Sequence, residues 1–334
     1  MPMRPIRFPG DLLPMGDMLV ETFQYPENPE WSIQTDEAED ISQTVRGLKR
    51  MWPLIRMLQV LSPPLRDLLR GFLWEEEDRL AAAVLVQRMG STRNWGVGVV
   101  GVLPAFRRRG LARGLLERAL DYLRARDADR VILSVIDRNV PAYSLYSSLG
   151  FTHYSSTAEY DQMLQRPDDV PALPAGYAEL RLRRSQWRTR FALDARITPD
   201  DVRRFAPVEE GRYRRPLPAR LLGPVMTFVE GKKEIDRIVR LTGNDGVIAR
   251  YGYRLCRRKK GTCSLWIRLD PEHAQLAPYM VGTALRALAK ANPGRRVQLF
   301  VPRWMTGVRE AAERFGFRQR LEYHDLGLIL SEAA

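Results

Sequence analysis

A short basic loop that contains one glycine is the part of this chain best suited to chemistry. It reads Arg107-Arg108-Arg109-Gly110-Leu111-Ala112 and joins a strand-like run to an amphipathic helical run. The first backbone N–H groups of a helix have no partner within the helix, and the helix dipole makes them an anion site. Gly110 has no Cβ, so the backbone can approach a phosphate closely, and arginines add charge-assisted contacts. The loop therefore predicts a phosphate or diphosphate site.

A second segment, whose residues suit the start and the end of a helix, lies about thirty residues downstream. It runs over residues 139–151 and reads Asn-Val-Pro-Ala-Tyr-Ser-Leu-Tyr-Ser-Ser-Leu-Gly-Phe. Asn139 suits the N-cap of a helix, and Gly150 suits its C-terminal stop. Tyr146 fits either a core aromatic on one helix face or a proton donor. From the residues alone, both interpretations of Tyr146 stay open.

Together the two segments resemble the GNAT superfamily of N-acetyltransferases. The loop matches the spacing Gln/Arg-x-x-Gly-x-Gly/Ala, filled here by Arg107, Gly110 and Ala112. The second segment matches Asn-x-x-Ala-x-x-Leu-Tyr-x-x-x-Gly-Phe at Asn139, Ala142, Leu145, Tyr146, Gly150 and Phe151.

The resemblance implies acetyl-CoA as co-substrate and a primary amine as acceptor. In this family the loop amides hold the coenzyme A pyrophosphate, and the strand before the loop pairs with the pantetheine arm. A bulge splays that strand from the next one, and the thioester sits in the cleft. Tyr146 is thereby assigned as the acid that protonates the departing thiolate. The implied coenzyme contacts are Val100, Gly101, Val102, Arg107, Arg108, Arg109, Gly110, Leu111, Ala112, Arg113 and Asn139.

No general base for the amine is evident from the sequence. Some relatives carry a Glu five positions before the Asn, and here that position is Ser134, which cannot serve as the base. The acidic run 75–77 borders the same region, and a water relay is equally open. No histidine falls within the motifs, since His153, His273 and His324 all lie outside them. With three histidines and two cysteines, no metal site is expected.

The elements around these segments predict a mixed α/β (α+β) fold. Asp11 is a plausible N-cap for the first helix, and Pro53 is expected to kink the second. Helical spacing predicts helices over 11–23, 40–60, 111–123 and 141–149. Strand-like runs cover 5–8, 71–75, 79–88, 95–103, 131–135 and 157–164.

Several segments of the first half recur in the second half at nearly constant offset. Residues 129–135 resemble 295–301, Gly-Phe recurs at 150–151 and 316–317, and Glu-Tyr recurs at 159–160 and 322–323. A Pro-rich stretch lies between them. We therefore predict two tandem GNAT-like domains, each a mixed, mostly antiparallel central sheet flanked by helices. The boundaries are 1–165 for the acetyl-CoA-binding domain, 166–176 for the linker and 177–334 for a degenerate domain.

The second half departs from the family pattern where the coenzyme would bind. Opposite the phosphate loop stand residues 274–279, which contain neither glycine nor arginine, and Pro278 removes an amide. Met305 stands opposite Asn139, and Ala312 stands opposite Tyr146. This half is therefore predicted to have lost acetyl-CoA binding and to wall the acceptor cleft, to brace the active domain or to mediate assembly, including as a homodimer.

Composition sets the remaining alternatives. The formal net charge is +13, with two cysteines and no long apolar run, which predicts a cytoplasmic protein without a disulfide framework or membrane partner. The charge leaves a nucleic-acid-binding protein on a GNAT scaffold open, through the basic clusters 107–109 and 257–260. Aromatic residues interleaved with those clusters are lacking. A coenzyme sensor without transfer activity is a further alternative.

Overall fold

One continuous sheet organises the molecule. The computed structural model describes residues 3–61, 67, 69–76, 79–183, 185–214, 223, 227, 229, 231–243, 246–257 and 261–331. Within them, twelve strands form a single sheet that is flanked by helices. Most neighbouring strands are antiparallel, and the pairs β4/β5 and β10/β11, defined below, are parallel. The predicted fold class, a mixed and mostly antiparallel sheet with flanking helices, is confirmed.

The first half follows the predicted order of elements. Its second helix begins five residues earlier than predicted and runs through Pro53. The carboxylate of Asp11 does not cap the first helix, because it accepts hydrogen bonds from the Arg4 guanidinium and the Arg7 amide. The elements are β1 (Met3–Pro5), α1 (Leu12–Thr22), α2 (Thr35–Leu61), β2 (Arg70–Glu76), β3 (Arg79–Arg88), β4 (Asn94–Val102), α3 (Leu111–Arg124), β5 (Arg130–Ile136), α4 (Val140–Ser148) and β6 (Thr152–Met163).

After one strand and the three helices that the structure describes there, the second half repeats the order of elements that the first half shows from β2 to β6. Its elements are β7 (Tyr177–Arg181), α5 (Trp187–Ile197), α6 (Asp200–Phe205), α7 (Glu210–Tyr213), β8 (Lys232–Leu241), β9 (Val247–Cys256), β10 (Cys263–Leu269), α8 (Ala277–Ala291), β11 (Arg296–Pro302), α9 (Thr306–Arg314) and β12 (Arg318–Ile329). β12 starts and ends 166 residues after β6, and the Gly-Phe pair at 316–317 follows the pair at 150–151 by the same interval. At this spacing the counterpart of Glu159 is Asp325.

The last strand of each half pairs with the sheet of the other half. The strand order is β1-β2-β3-β4-β5-β12-β6-β11-β10-β9-β8-β7, so β12 lies beside β5, and β6 lies beside β11. β6 and β12 pair with each other at the centre. The predicted boundaries at 165 and 177 stay a prediction. Because the last strands are exchanged, neither half of the chain supplies all the strands of its own part of the sheet.

The exchange also joins the two hydrophobic cores. The core beneath α3 contains Leu115, Leu116 and Leu123 and takes Leu326 from β12. The core beneath α8 takes Ala158 and Tyr160 from β6. Fully burying a leucine side chain contributes about 1.5–3 kcal/mol. Removing either last strand would therefore strip buried apolar surface from both halves.

Candidate active site

β4 and β5 separate to form a cleft in the sheet. Their parallel pairing covers only Asn94↔Arg130 to Gly96↔Ile132. A bulge follows at once, because Leu85 of β3 faces Val99 whereas its neighbour Val86 faces Val97, which leaves Gly98 unmatched. The bulge and the divergence implied by the sequence resemblance are both present. Since β12 pairs with β5 along its whole length, the opening lies on the β4 side of β5.

The backbone direction of β4 exposes donors to this cleft. Leu103 donates its N–H to the Ala81 carbonyl on β3. Backbone groups alternate along a strand, so the N–H groups of Val100 and Val102 point to the other side. These are two of the three β4 residues that the sequence assigned to the coenzyme. The third, Gly101, faces α1, where an added Cβ would meet Thr22 Cγ2 at 3.0 Å.

The basic loop presents open amides at the start of α3. Arg108 and Gly110 both have positive φ, at 64° and 79°, which turns the chain sharply into the helix. The first helical bond runs from the Gly114 amide to the Gly110 carbonyl. Across the described part of the chain, no hydrogen bond engages the amides of residues 108–113. Among the described residues, nothing therefore occupies the donors that the diphosphate hypothesis requires.

The Arg107 guanidinium turns inward rather than toward the open amides. It donates to the Thr22 carbonyl at 2.9 Å and to the Val102 carbonyl at 3.3 Å. It also lies over the Tyr25 ring, 5.3 Å from its centroid. Arg107 thus ties the loop to the ends of α1 and β4.

The remaining arginines surround the helix start. Arg109 pairs with Glu76 at 2.7 Å, and Arg113 donates to the Ser148 hydroxyl of α4 at 2.7 Å. The latter bond joins the two helices that carry the sequence motifs. Arg108 is exposed, and among the described residues no side-chain partner approaches it. All three guanidinium groups lie close to the loop and raise its positive potential.

Asn139 and Tyr146 occupy the two ends of α4. The Asn139 side chain accepts from the Ala142 amide at 3.3 Å and caps the helix. Tyr146 is 7 % exposed and packs edge-on to Phe151. Burial raises the pKa of the Tyr146 hydroxyl, and the nearby Tyr25 raises it further. Within the described ranges this hydroxyl has no hydrogen-bond partner, so Tyr146 is a protonated donor at neutral pH.

The connection between α1 and α2 closes the other side of the cleft. Tyr25 packs edge-on against Trp31 with ring centroids 5.7 Å apart, and burial raises the pKa of Tyr25. Two buried polar atoms here, Thr22 Oγ1 and Trp31 Nε1, lack hydrogen-bond partners among the described residues. Sequence reasoning missed these three residues, because no motif marks a contact between a helix end and a distant strand.

The candidate bases lie in different surroundings. Glu75 is held by Arg4 at 2.6 Å, and this hydrogen bond lowers the pKa of Glu75. Glu76 is paired with Arg109, and Glu77 lies outside the described residues. Ser134 donates its hydroxyl to the carboxylate of Asp325 at 2.6 Å. Asp325 belongs to β12, so no local sequence pattern indicates this contact.

The histidines lie away from the loop. His153 and His324 face each other with ring centroids 4.5 Å apart, and both approach the Ser156 hydroxyl. His273 accepts or donates a hydrogen bond with the Tyr177 hydroxyl at 2.7 Å. Within the described residues, no group of three or more His, Cys, Asp or Glu side chains is arranged to hold a metal ion.

The corresponding region of the second half is nearly filled. β10 and β11 also pair in parallel over only three residues. A cavity of about 30 Å³ lies beside their divergence and is lined mostly by apolar residues of this half. An added Cβ at Gly307 would lie 2.8 Å from Ala274 Cβ. Pro278 occupies the first turn of α8, where it supplies no amide.

Comparison with known proteins points to one family. Residues 31–151 match the Acetyltransferase (GNAT) family, whose members use acetyl-CoA as acetyl donor. Curated relatives include the mycothiol acetyltransferases of Beutenbergia cavernae, 50 % identical over 62 residues, and of Salinispora arenicola, 38 % identical over 95 residues. These matches cover 19 % and 28 % of this chain, and 21 % and 28 % of the relatives. The chain thus spans less than a third of the length of the curated relatives it matches.

Solved structures match over the whole chain. A tandem GNAT protein from the clavulanic acid biosynthesis pathway aligns with a TM-score of 0.63 and 13 % identity, covering 99 % of both chains. A GCN5-related N-acetyltransferase from Sphaerobacter thermophilus aligns with a TM-score of 0.62 and 14 % identity, covering 99 % of this chain and 97 % of that one. At such identity the likeness concerns the fold. No helix among the described residues has the length and apolarity to cross a membrane.

Proposed function

We propose that this chain transfers an acetyl group from acetyl-CoA to a primary amine. Its residues 31–151 match the GNAT acetyltransferase family, and the chain has the fold of a tandem GNAT protein. The observation that carries the proposal is the set of unbonded amides over residues 108–113, placed beside the opening between β4 and β5. A diphosphate at the helix start and a thioester in the cleft would use both features at once.

The proposed reaction is direct attack of a neutral amine on the thioester carbonyl. The N–H of Val102, directed into the cleft, would donate to the oxyanion as charge develops. Tyr146 would protonate the leaving thiolate, since its hydroxyl is protonated at neutral pH and has no hydrogen-bond partner among the described residues. Holding donor and acceptor together supplies much of the remaining acceleration. Asn139 caps α4 and thereby fixes the helix that carries Tyr146.

The diphosphate site is tested by a charge placed at the helix start. Ala112 is the second residue of α3, and Ala112→Glu puts a carboxylate where the coenzyme's phosphates would lie. A carboxylate in the first turn favours the helix itself, so folding should not suffer. We expect the dissociation constant for coenzyme A, measured by calorimetry, to rise at least tenfold. Ala112→Gln has the same size without the charge and should change it by less than threefold; equal effects of both variants would argue against a diphosphate at this helix.

The transfer activity is tested by release of free thiol from acetyl-CoA. The acceptor panel comprises polyamines, an aminoglycoside, lysine and N-terminal peptides, and the acceptor of mycothiol acetyltransferases. The last is included because curated relatives carry that name. Acceptor-dependent thiol release supports the proposal. Tight coenzyme binding without release on any acceptor would favour a sensor, and binding of nucleic acid at physiological salt without coenzyme binding would favour the other alternative.

A further inference from the structure

The two halves of the chain meet at the side of the cleft where the amine must lose a proton. We propose that Ser134 of β5 and Asp325 of β12 form the proton-accepting pair of the acetyl transfer. The proposal rests on the proposed function and names the base that the first half alone does not contain. It makes the second half part of the active centre through a single exchanged strand.

Strand register brings the two side chains together. Asp325 is the direct cross-strand partner of Ser134. The Ser134 hydroxyl donates to Asp325 Oδ1 at 2.6 Å, and the Thr157 hydroxyl of β6 donates to Oδ2 at 2.7 Å. Ser134 lies two residues beyond Ile132, the last β5 residue that pairs with β4, so it belongs to the part of β5 that borders the cleft. It is exposed, and Asp325 is partly exposed.

The counterpart of Asp325 in the first half of the chain, Glu159, shows what a purely structural acid looks like at this strand position. Glu159 of β6 faces Phe300 of β11, as Asp325 faces Ser134. Glu159 is 1 % exposed and is neutralised by Arg320, which donates to it at 2.5 and 2.8 Å. In the described part of the chain, no lysine or arginine nitrogen lies within 4.0 Å of the Asp325 carboxylate.

The contrast argues that the two acids serve different purposes. An ion pair within the protein fixes Glu159, whereas Asp325 keeps hydroxyl partners only, one of which is exposed beside the cleft. A carboxylate with neutral hydroxyl donors keeps lone pairs available, and a serine hydroxyl accepts and donates at the same time. An exposed hydroxyl backed by a carboxylate is the arrangement that a proton relay requires.

The proton balance of the reaction follows directly. The amine nitrogen bonds to the acetyl carbon, and the carbon–sulfur bond breaks. The nitrogen loses one proton to the Ser134 oxygen as the serine passes its own proton to Asp325. Tyr146 gives its proton to the departing thiolate. After release of the amide and the thiol, the proton on Asp325 returns to the Tyr146 oxygen through solvent, so that both groups regain their starting states.

The experiment uses the full chain with the best acceptor from the thiol-release panel. Asp325→Asn keeps the shape of the side chain and is expected to lower kcat about 100-fold or more. The dissociation constant for acetyl-CoA should change less than twofold, and the thermal midpoint should stay within 2 °C. The matched control is Asp137→Asn, which removes an acid just past the end of β5 whose ion-pair partner among the described residues is Arg138, at 3.9 Å. Its kcat should remain within threefold of the parent.

A relocation variant separates chemistry from structure. In the Asp325→Asn background, Ser134→Glu returns a carboxylate to the same place from the other strand. At least tenfold recovery of kcat is expected, and a purely structural role for Asp325 would not produce it. Full activity of Asp325→Asn, or a fall in kcat that Ser134→Glu does not recover, would overturn the pair while leaving the transferase intact. A parent chain without activity on any acceptor would overturn both proposals.

Discussion

Removing the Arg320 side-chain charge should weaken the junction of the two halves more than any surface substitution. Arg320 of β12 donates to Glu159 of β6 and to Glu37 of α2, at 2.5 and 3.3 Å from Nη2. Its other terminal nitrogen, Nη1, approaches the carbonyls of Glu30 and Ser32, at 3.5 and 3.4 Å. One guanidinium therefore holds both exchanged strands, a helix end and the connection between α1 and α2.

The expected magnitude follows from burial and from local charge. Arg320 is 14 % exposed and Glu159 only 1 %. Removing one partner of a buried ion pair costs about 3–5 kcal/mol, since the other charge stays buried without compensation. Glu159 keeps the donors Gln298 at 3.1 Å and Tyr323 at 2.8 Å, which places Arg320→Met at the lower end. About 3 kcal/mol corresponds to a fall of roughly 4 °C in the thermal midpoint for a chain of this size.

Thermal unfolding followed by circular dichroism measures this fall. The control is Arg318→Met, on the same strand and exposed, which should shift the midpoint by less than 2 °C. The double variant Arg320→Met with Glu159→Gln removes both charges. It should lose at least 1 kcal/mol less than the sum of the single variants, because pairs in contact are coupled. A midpoint of Arg320→Met within 2 °C of the parent, or additive single effects, would refute the reasoning.

Three further outcomes are expected. Tyr146→Phe should lower kcat for thiol release about 100-fold and leave the acetyl-CoA affinity, measured by calorimetry, unchanged. Because the pKa of Tyr146 is raised, the rate of the parent should not decline between pH 8 and pH 10. Gly71→Ala should prevent soluble folding in an expression test, since its Cβ would lie 2.0 Å from a β3 carbonyl, whereas Gly98→Ala meets nothing within 4 Å and should fold. Burial and the neighbouring His153 lower the pKa of His324, so the unfolded chain binds the proton more readily, and stability should fall as pH drops below about 6.5. The thermal midpoint of His324→Gln should fall less between pH 7.5 and pH 5.5 than that of the parent.

The parts of the site that depend on neighbouring residues in the chain could be predicted from the sequence. The loop over residues 107–112, the cap at Asn139 and the helix start at Leu111 are set by local chemistry, and the structure places each as expected. The side chain of Arg107 was expected to face the phosphates, yet it donates to two backbone carbonyls. A motif fixes the backbone of a loop more firmly than it fixes the direction of a long side chain.

The early start of α2 has a physical reason outside its own sequence. Its first turn contains Asp36 and Glu37 and has no apolar periodicity, so helical spacing predicted a start only at residue 40. Both acids instead pair with Arg296 of β11, at 2.9 and 3.1 Å. The helix is extended by ion pairs to the second half of the chain, which no local pattern can indicate.

The strand exchange changes how the second half should be regarded. A second domain that only braced the first would contact it through an interface, and its loss would leave the first sheet complete. Here β12 supplies the strand beside β5, the leucine beneath α3 and a carboxylate at the cleft. A half that is predicted to have lost its own coenzyme site would then still be required for the other site, because it contributes these elements. Separating the two halves would remove a sheet strand, part of a core and the acid opposite Ser134 in a single step.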